Sequence, residues 1–170
     1  MDNNQLQEYF SRVRRGDTEA FAAIYTDLKT PVYTVIYRIV GSHECAEDIM
    51  QELFLRLFRQ PPHQSVKNLR AYIFQAAHNM AIDRLRRDRH ISLDELPPGD
   101  SVPSETYALD TQLDIDAALR RLTDEERRVV ILHINAALTL HETARIMGKS
   151  VASVHRTYNR ALKALKQLLQ

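Results

Sequence analysis

Residues 138–169 read LTLHETARIMGKSVASVHRTYNRALKALKQLL and contain the signals of two helices joined by a tight turn. Thr139, followed three residues later by Glu142, forms a capping box, in which both side chains accept from backbone N–H groups at a helix start. Gly148 supplies a residue that readily adopts the left-handed conformation ending a helix, and Ser150 is suited to cap the next helix. The pattern predicts a helix-turn-helix unit, whose second helix is expected to lie in a DNA major groove.

The apolar and basic positions of this stretch support the prediction. Leu140, Ala144 and Met147 fall on one face of the first helix. On the second helix the apolar positions share one face for four turns: Val151, Val154, Tyr158, Leu162 and Leu165. Residues 141–170 contain six Lys or Arg and a single acid. The residues predicted to contact DNA are Lys149, Ser153, His155, Arg156 and Arg160. The alternative is an ordinary helical hairpin with a solvated basic face.

The composition of the chain is that of a soluble globular protein. Of its 170 residues, 44% are hydrophobic and 26% are charged. The longest apolar run, residues 32–40, is interrupted by Arg38 and is far shorter than the roughly 20 residues of a membrane helix, so no membrane insertion is expected. The first residues are polar and do not resemble a signal peptide, and the lone Cys45 fits a reducing compartment. We therefore expect a cytoplasmic protein.

The net charge of +1 conceals a strong segregation of charge along the chain. Residues 43–52 contain four acids and no Lys or Arg, whereas residues 84–89 contain four Arg and one Asp. Residues 92–118 contain seven acids and no base. This alternation indicates partners of both signs rather than a uniformly basic surface.

Helical periodicity runs through the chain, and neither strand alternation nor an internal repeat is evident. The apolar positions predict helices that end near Gly16, Gly41 and Pro61, with Pro31 expected to interrupt one of them because proline cannot continue a helix normally. A further helix is predicted over residues 69–89.

The segment 92–110 is rich in Pro, Ser and acids and is predicted to be a linker. The predicted fold class is therefore all-α, with two small helical bundles joined by a flexible acidic linker. The expected domains are residues 1–91 and residues 111–170, the second containing the helix-turn-helix.

Catalysis finds little support in the sequence. It contains no Gly-x-Ser-x-Gly motif, no phosphate-binding loop and no Cys with an evident base partner. The seven histidines include no pair at a spacing of three or four residues, and no zinc-type ligand pattern is present. We expect no catalytic residues, no metal site and no cofactor.

The predicted helix 69–89 combines amide, arginine and aromatic side chains that suit nucleic-acid binding. Asn and Arg read base edges, and clustered Arg neutralises phosphates. Tyr72 and Phe74 are of a type that stacks on unpaired bases. The alternative is a helix whose basic end merely complements its dipole. The candidate contacts are Tyr72, Asn79, Asp83, Arg84, Arg86 and Arg87.

The predicted helix 42–59 has a polar stripe with carboxylates at its edge. Its members, at i, i+3, i+4 and i+7, are Asp48, Gln51, Glu52 and Leu55. The same helix carries a larger number of big apolar residues than one small core is expected to bury: Leu53, Phe54, Leu57 and Phe58. Such a stripe is usually solvated surface, but the surplus of large apolar side chains predicts a protein partner.

Three segments in this order resemble bacterial sigma factors of the extracytoplasmic-function type. AEDIMQELFLRLF, from Ala46, is similar to the segment that binds the clamp helices of RNA polymerase. LRAYIFQAAHNMAIDRLRR, from Leu69, is similar to the segment that melts and reads the minus-ten promoter element. LRRLTDEER, from Leu119, with the helix-turn-helix, is similar to the domain that reads the minus-thirty-five element.

The resemblance implies specific partners and roles. Core RNA polymerase would bind the stripe from Asp48 to Leu55, the opened single strand would bind the candidate residues of helix 69–89, and double-stranded promoter DNA would bind the helix-turn-helix. An anti-sigma factor is a further candidate partner, because small sigma factors of this type are commonly held by one. Two features depart from the family pattern: His155-Arg156-Thr157 in the reading helix, and the loop 63–68, which lacks an aromatic residue.

Two other functions remain open from the residues alone. A stand-alone helix-turn-helix regulator would use its N-terminal bundle for sensing or dimerisation and would bind DNA without polymerase. An all-helical adaptor would bind only proteins and would tolerate the loss of Arg156 and Arg160.

Overall fold

The computed structural model describes residues 1–94 and 110–168, with the side chains of residues 1–89 and 115–168. In these ranges the fold is all-α, as predicted, without a β-strand. The helices are α1 (Asn3–Val13), α2 (Thr18–Val40), α3 (His43–Arg59), α4 (Leu69–Asp94), α5 (Asp110–Arg120), α6 (Asp124–Val130), α7 (Leu140–Met147) and α8 (Val151–Leu168). Helix α6 continues directly into a π-helical turn, Ile131–Asn135.

Polar caps fix the helix boundaries of the N-terminal bundle, which α1 to α4 form. The Asp2, Asp17 and Ser42 side chains accept from backbone N–H groups in the first turns of α1, α2 and α3, satisfying donors that have no intrahelical partner. Helix α2 ends at Gly41, whose φ of 74° lies in the left-handed region. Apolar side chains of this bundle form a common core, in which Phe10 of α1 is fully buried.

The predicted break at Pro31 is wrong. Helix α2 runs through Pro31 without interruption, although an interior proline costs about 3 kcal/mol through its lost N–H and the clash of its ring. Leu28 and Val32, on either side of the proline, are both fully buried. Burying a single Leu or Val stabilises by about 1.5–3 kcal/mol, so the apolar face of this helix offsets the cost.

The surplus of apolar residues expected on α3 is smaller than predicted. Leu53, Phe54 and Leu57 are core residues, whereas Phe58 remains 43% exposed and Leu55 51% exposed. The rings of Phe54 and Phe58 both make edge contacts with Phe21 of α2. Of the four predicted surplus residues, only Phe58 is therefore left for a partner, together with Leu55 of the predicted stripe.

Helices α5 to α8 form the C-terminal bundle. The capping box predicted at Thr139–Glu142 is present, and a second one, Thr123–Glu126, starts α6. The buried face of α8 differs from the prediction, because Val151 and Leu162 are about 40% exposed. The buried positions of α8 are Val154, Thr157 and Ala161.

The two bundles pack against each other, which the sequence did not predict. Ile131, Leu132, Ala136 and Leu138, from the segment between α6 and α7, are at most 2% exposed and belong to the same apolar cluster as the N-terminal core. Helix α4 continues to Asp94, into the predicted linker, and residues 95–109 lie outside the described ranges. In this structure the C-terminal bundle is therefore seated on the N-terminal bundle.

Candidate nucleic-acid and protein interfaces

The predicted helix-turn-helix is present as α7, a tight turn and α8. Gly148, with φ of 64°, ends α7, and its N–H reaches the Arg145 carbonyl at 3.2 Å. The Ser150 hydroxyl then accepts from the Ser153 N–H at 3.2 Å and starts α8. Because Gly and Ser supply the turn and the cap within three residues, the two helices follow each other closely, as the motif requires.

The residues predicted to read the minus-thirty-five element divide into two groups. His155 and Arg156 are exposed near the start of α8, and Ser153 is half-buried beside the cap. Among the described residues, Arg156 has no ion-pair partner within 4 Å, so its guanidinium is available to a ligand. The Asn159 side-chain amide, one turn further along the same helix, donates to His155 Nδ1 at 3.1 Å.

Lys149 and Arg160 instead form ion pairs with α6. The Lys149 ammonium lies 2.8 Å from Glu125, and the Arg160 guanidinium donates to Glu126. These hydrogen bonds are the main causes that lower the pKa of each glutamate, and burial acts in the opposite direction. Glu126 is only 6% exposed, so its charge needs such a partner. Both cations therefore help to hold α8 on α6.

Most of the candidate residues on α4 are at the surface. Asn79, Asp83, Arg86 and Arg87 are exposed, and Tyr72 is 42% exposed. The Arg86 guanidinium is 3.9 Å from Asp83, a weak surface pair. This face of α4 presents amide, aromatic and guanidinium groups together.

Two residues of α4 behave differently from the prediction. Phe74 is fully buried in the core, which excludes the proposed stacking of its ring on a base. Arg84 is half-buried and pairs with Asp88 at 3.1 Å. Electrostatic interaction with Cys45, in its thiolate form, and with Asp88 and Asp48 raises the pKa of Arg84.

The predicted protein-binding stripe of α3 is fully exposed. Asp48, Gln51, Glu52 and Leu55 all lie at the surface. Glu52 pairs with Arg56 on the same helix at 3.1 Å and with no other described residue, and both side chains are more than half exposed. Surface pairs of this kind contribute about 0.3–0.5 kcal/mol, so the carboxylates remain available to a cationic partner.

Three polar residues of the N-terminal bundle hold the C-terminal bundle, and the sequence did not reveal them. Arg38 pairs with Asp116 at 2.9 Å and donates to the Asn135 amide oxygen at 2.8 Å. Arg70 donates to the Ala136 carbonyl at 2.9 Å, and the Asn68 amide donates to Glu142. The one available signal was the interruption of an apolar run by Arg38.

Neither a metal site nor a membrane helix is found in the part of the chain that the structure describes. No group of three or more His, Cys, Asp or Glu residues there is arranged to hold a metal ion. None of the described helices combines the length and the hydropathy needed to cross a membrane.

Comparison with known proteins identifies two conserved regions and several relatives. Residues 24–91 match the family described as Sigma-70 region 2, and residues 112–165 match Sigma-70, region 4. The extracytoplasmic-function (ECF) RNA polymerase sigma factor BldN of Streptomyces coelicolor is 30% identical over 99% of this chain and 67% of its own length. The ECF sigma factor SigW of Bacillus subtilis is 26% identical, with 97% of each chain covered.

Two solved structures share the fold. CnrH in complex with the cytosolic domain of CnrY superposes with a TM-score of 0.68 at 18% identity, with 96% of each chain covered. RpoE in complex with the anti-sigma factor NepR from Bartonella quintana superposes with a TM-score of 0.66 at 22% identity, covering 86% of this chain and 96% of RpoE. At these identities the likeness concerns the all-α architecture.

Proposed function

Because the chain belongs to the extracytoplasmic-function sigma factors and directs RNA polymerase to promoters, we propose a division of labour among its surfaces. The exposed stripe of α3 binds core polymerase, the exposed face of α4 binds the opened minus-ten element, and α8 reads the minus-thirty-five element. The observation that carries this proposal is the exposure of all three surfaces on one chain, with Arg156 at the start of α8 making no ion pair with any described residue. The chain itself performs no catalytic step.

The energetics of DNA reading explain why the surfaces work together. Each good base contact contributes only about 1–3 kcal/mol, and non-specific binding gives a Kd of about 10⁻⁴–10⁻⁶ M. Neither bundle alone would select promoters well. Tethering both to polymerase raises the effective concentration of each at its element, and contacts with the single strand offset the few kcal/mol needed to unstack a base.

This function requires the two bundles to separate. Reading two elements more than one helical turn of about 34 Å apart is incompatible with an interface that buries Leu132 and Ala136 in a shared core. The segment between α4 and α5, fifteen residues long, spans at most about 50 Å when extended. We infer that the packed arrangement is a resting form and that binding to polymerase opens it.

Two further assignments belong to the same proposal. The site of action is the cytoplasm, where polymerase and chromosomal DNA are found. An anti-sigma factor is the candidate regulatory partner, by analogy with RpoE, which was solved with the anti-sigma factor NepR. A partner that covers the α3 stripe or the face of α4 would prevent use of either surface.

The decisive experiment is run-off transcription with purified core polymerase, this chain and a pool of genomic templates. We expect promoter-specific transcripts that depend on the chain. A stand-alone regulator would instead protect DNA without polymerase. The absence of any chain-dependent transcript would contradict the proposed function.

Two variants of α3 and one matched control test the assignment of this helix. Asp48→Ala and Glu52→Ala each remove an exposed carboxylate of the stripe, whereas Glu8→Ala removes an exposed carboxylate of α1. We expect the α3 variants to bind core polymerase several-fold more weakly at low salt, because exposed charges act mainly by screened attraction. Their unfolding curves should match that of Glu8→Ala. Equal polymerase binding by all three variants would remove α3 from the interface.

A further inference from the structure

A cleft of about 340 Å³ lies between the two bundles and is lined by arginines from both. Three of its arginines belong to α2 and α4, and two belong to α6. Aliphatic side chains of α2 and α4 form part of the wall. The charged residues that line the cleft are Arg38, Arg86, Arg89, Arg127, Arg128 and Asp124. Among the described residues of the lining, five guanidinium groups therefore face one carboxylate, and Asp116, outside the lining, pairs with Arg38.

Two of these arginines are held rigidly and form the frame of the cleft. Arg38 is fixed by Asp116 and Asn135. Arg127 donates to the carbonyls of Leu119 and Leu122 at 2.9 and 3.2 Å. These contacts keep both groups in a fixed position. Asp116 offsets the charge of Arg38, whereas Arg127 donates to neutral carbonyls and keeps its positive charge.

The other arginines have unused donors. Arg89 approaches Asp124 at 3.9 Å, and Arg86 approaches Asp83 at the same distance. Charge-assisted hydrogen bonds are about 2.7–2.9 Å long, so these contacts are attractions without a hydrogen bond. The Asp124 carboxylate lies between Arg89 of one bundle and Arg127 of the other, 3.5 Å from the latter. The Asp124 carboxylate thus lies where guanidinium groups of both bundles converge, but it accepts a hydrogen bond from neither of them.

We propose that this cleft binds a small polyphosphate anion, a ligand with two or more linked phosphate groups. Planar guanidinium forks match phosphate oxygens bidentately. Asp124 in the lining and Asp116 on Arg38 offset two of the five positive charges, and the remaining excess of three exceeds what one phosphate would neutralise. The volume lies at the lower end of the range for small-molecule sites and does not admit a DNA duplex. The aliphatic wall accommodates the base of a nucleoside polyphosphate. A nucleotide and an inorganic chain both carry the required linked phosphates, and titration with one ligand of each kind separates the two.

Binding at this position would couple to the arrangement of the bundles. A ligand held by Arg89 of α4 and Arg128 of α6 bridges the bundles and favours the packed form, because its contacts exist only when they are together. It would also engage Arg86, one of the predicted minus-ten contacts, and compete with DNA there. The cleft is therefore a site through which a metabolite anion restrains the chain in its resting form.

Calorimetric titration of the full chain with inorganic tripolyphosphate, without Mg²⁺ and without polymerase, tests the proposal. We expect saturable binding of one ligand per chain. Arg89→Gln and Arg128→Gln should each weaken it about tenfold, equivalent to ~1.4 kcal/mol. Asp124→Asn should tighten it, because it removes the only carboxylate of the lining. Lys163→Gln, which removes an exposed charge of α8 outside the cleft, should leave the affinity unchanged.

A parallel titration with GTP identifies the source of the phosphates. Tighter binding of GTP than of tripolyphosphate supports the site and assigns a nucleoside polyphosphate, whereas equal binding supports the site and assigns its affinity to the phosphates alone. Absence of saturable binding at millimolar ligand, or a loss in Lys163→Gln equal to that in Arg89→Gln, would overturn the proposal. Circular dichroism verifies that each variant is folded. The transcription function does not depend on the outcome, because the assay contains no polymerase.

Discussion

Arg70→Met is expected to loosen the packing of the two bundles while leaving each bundle folded. The Arg70 Nε donates to the Ala136 carbonyl at 2.9 Å, across the interface, and the guanidinium lies 5.3 Å from the centre of the Phe74 ring. Burial lowers the pKa of Arg70, which shows how far the group has been removed from water. Methionine keeps an unbranched apolar stem against Phe74 and removes the donor.

The size of the effect follows from the hydrogen bond that is lost. A hydrogen bond that involves a charged group contributes about 1.5–3 kcal/mol, and Ala136, which is fully buried, offers its carbonyl no access to water in the packed form. The equilibrium between packed and separated bundles should shift by about ten- to a hundredfold, at about 1.4 kcal/mol per factor of ten.

Hydrogen exchange followed by mass spectrometry measures this shift. Peptides covering residues 131–147, which contain the interface segment, should exchange about ten- to a hundredfold faster in Arg70→Met. Peptides of α8 should be unaffected, because the contacts of α8 with α6 lie within one bundle. Arg14→Met is the matched control, since Arg14 donates to the Pro62 carbonyl at 2.8 Å inside the N-terminal bundle.

Two results would refute the reasoning. If residues 131–147 exchange at the wild-type rate in Arg70→Met, the hydrogen bond does not control the interface. If every helix of the chain exchanges faster to the same degree, the bundles do not separate as units, and the resting form proposed above is not a distinct state. The control variant shows whether loss of any arginine–carbonyl bond produces such a general effect.

Three other predictions concern individual side chains. Arg160→Ala should lower the free energy of unfolding, measured by urea denaturation, by about 1–2 kcal/mol, because it leaves the buried Glu126 without its cation. An unchanged unfolding midpoint would mean that Arg160 acts in DNA binding alone. Tyr72→Ala should weaken binding of polymerase holoenzyme to a pre-opened minus-ten template by about 1–3 kcal/mol, the usual contribution of one base stack. If the variant and the wild type bind with equal affinity in a filter-binding assay, no base stacks on this ring. Burial, together with the charge of Arg128, lowers the pKa of His78 despite its contact with Asn79. The contribution of His78 to the free energy of unfolding should therefore be fully present above about pH 6.5 and should be lost as the pH drops below that value. In urea denaturation at several pH values, His78→Gln should reduce this loss, and an identical loss in the variant would assign it to other groups.

Features determined by short-range chemistry were predictable from the sequence. The capping box at Thr139 and Glu142, the left-handed Gly148 and the cap at Ser150 depend only on residues within four positions of each other, and all three are present. The same holds for Thr123 and Glu126. Because a capping box is satisfied by its own backbone, no knowledge of tertiary structure is needed to place these helix starts.

Features determined by packing were not predictable in the same way. Pro31 signals a break on local grounds, but the buried residues around it keep α2 continuous. Phe74 has the chemistry of a stacking residue, yet it points into the core. Helical periodicity assigns a residue to a face but does not state which faces meet, so the seating of Ala136 and Leu138 in the N-terminal core could not be inferred from their positions in the sequence.

The cations of the helix-turn-helix show how one sequence feature serves two physical roles. Lys149 and Arg160 sit where a DNA-reading helix would carry basic residues, but their glutamate partners on α6 precede them by more than twenty residues, beyond the reach of any local pattern. The Lys149 pair fixes the turn before α8 against α6, and the Arg160 pair fixes α8 itself. Each pair also reduces the charge available to a phosphate. Arg156, which has no such partner among the described residues, keeps its full charge at the start of the reading helix. If α8 reads promoter DNA as proposed, discrimination among promoters should depend on Arg156 and its exposed neighbours, whereas Lys149 and Arg160 should act by holding that helix in position.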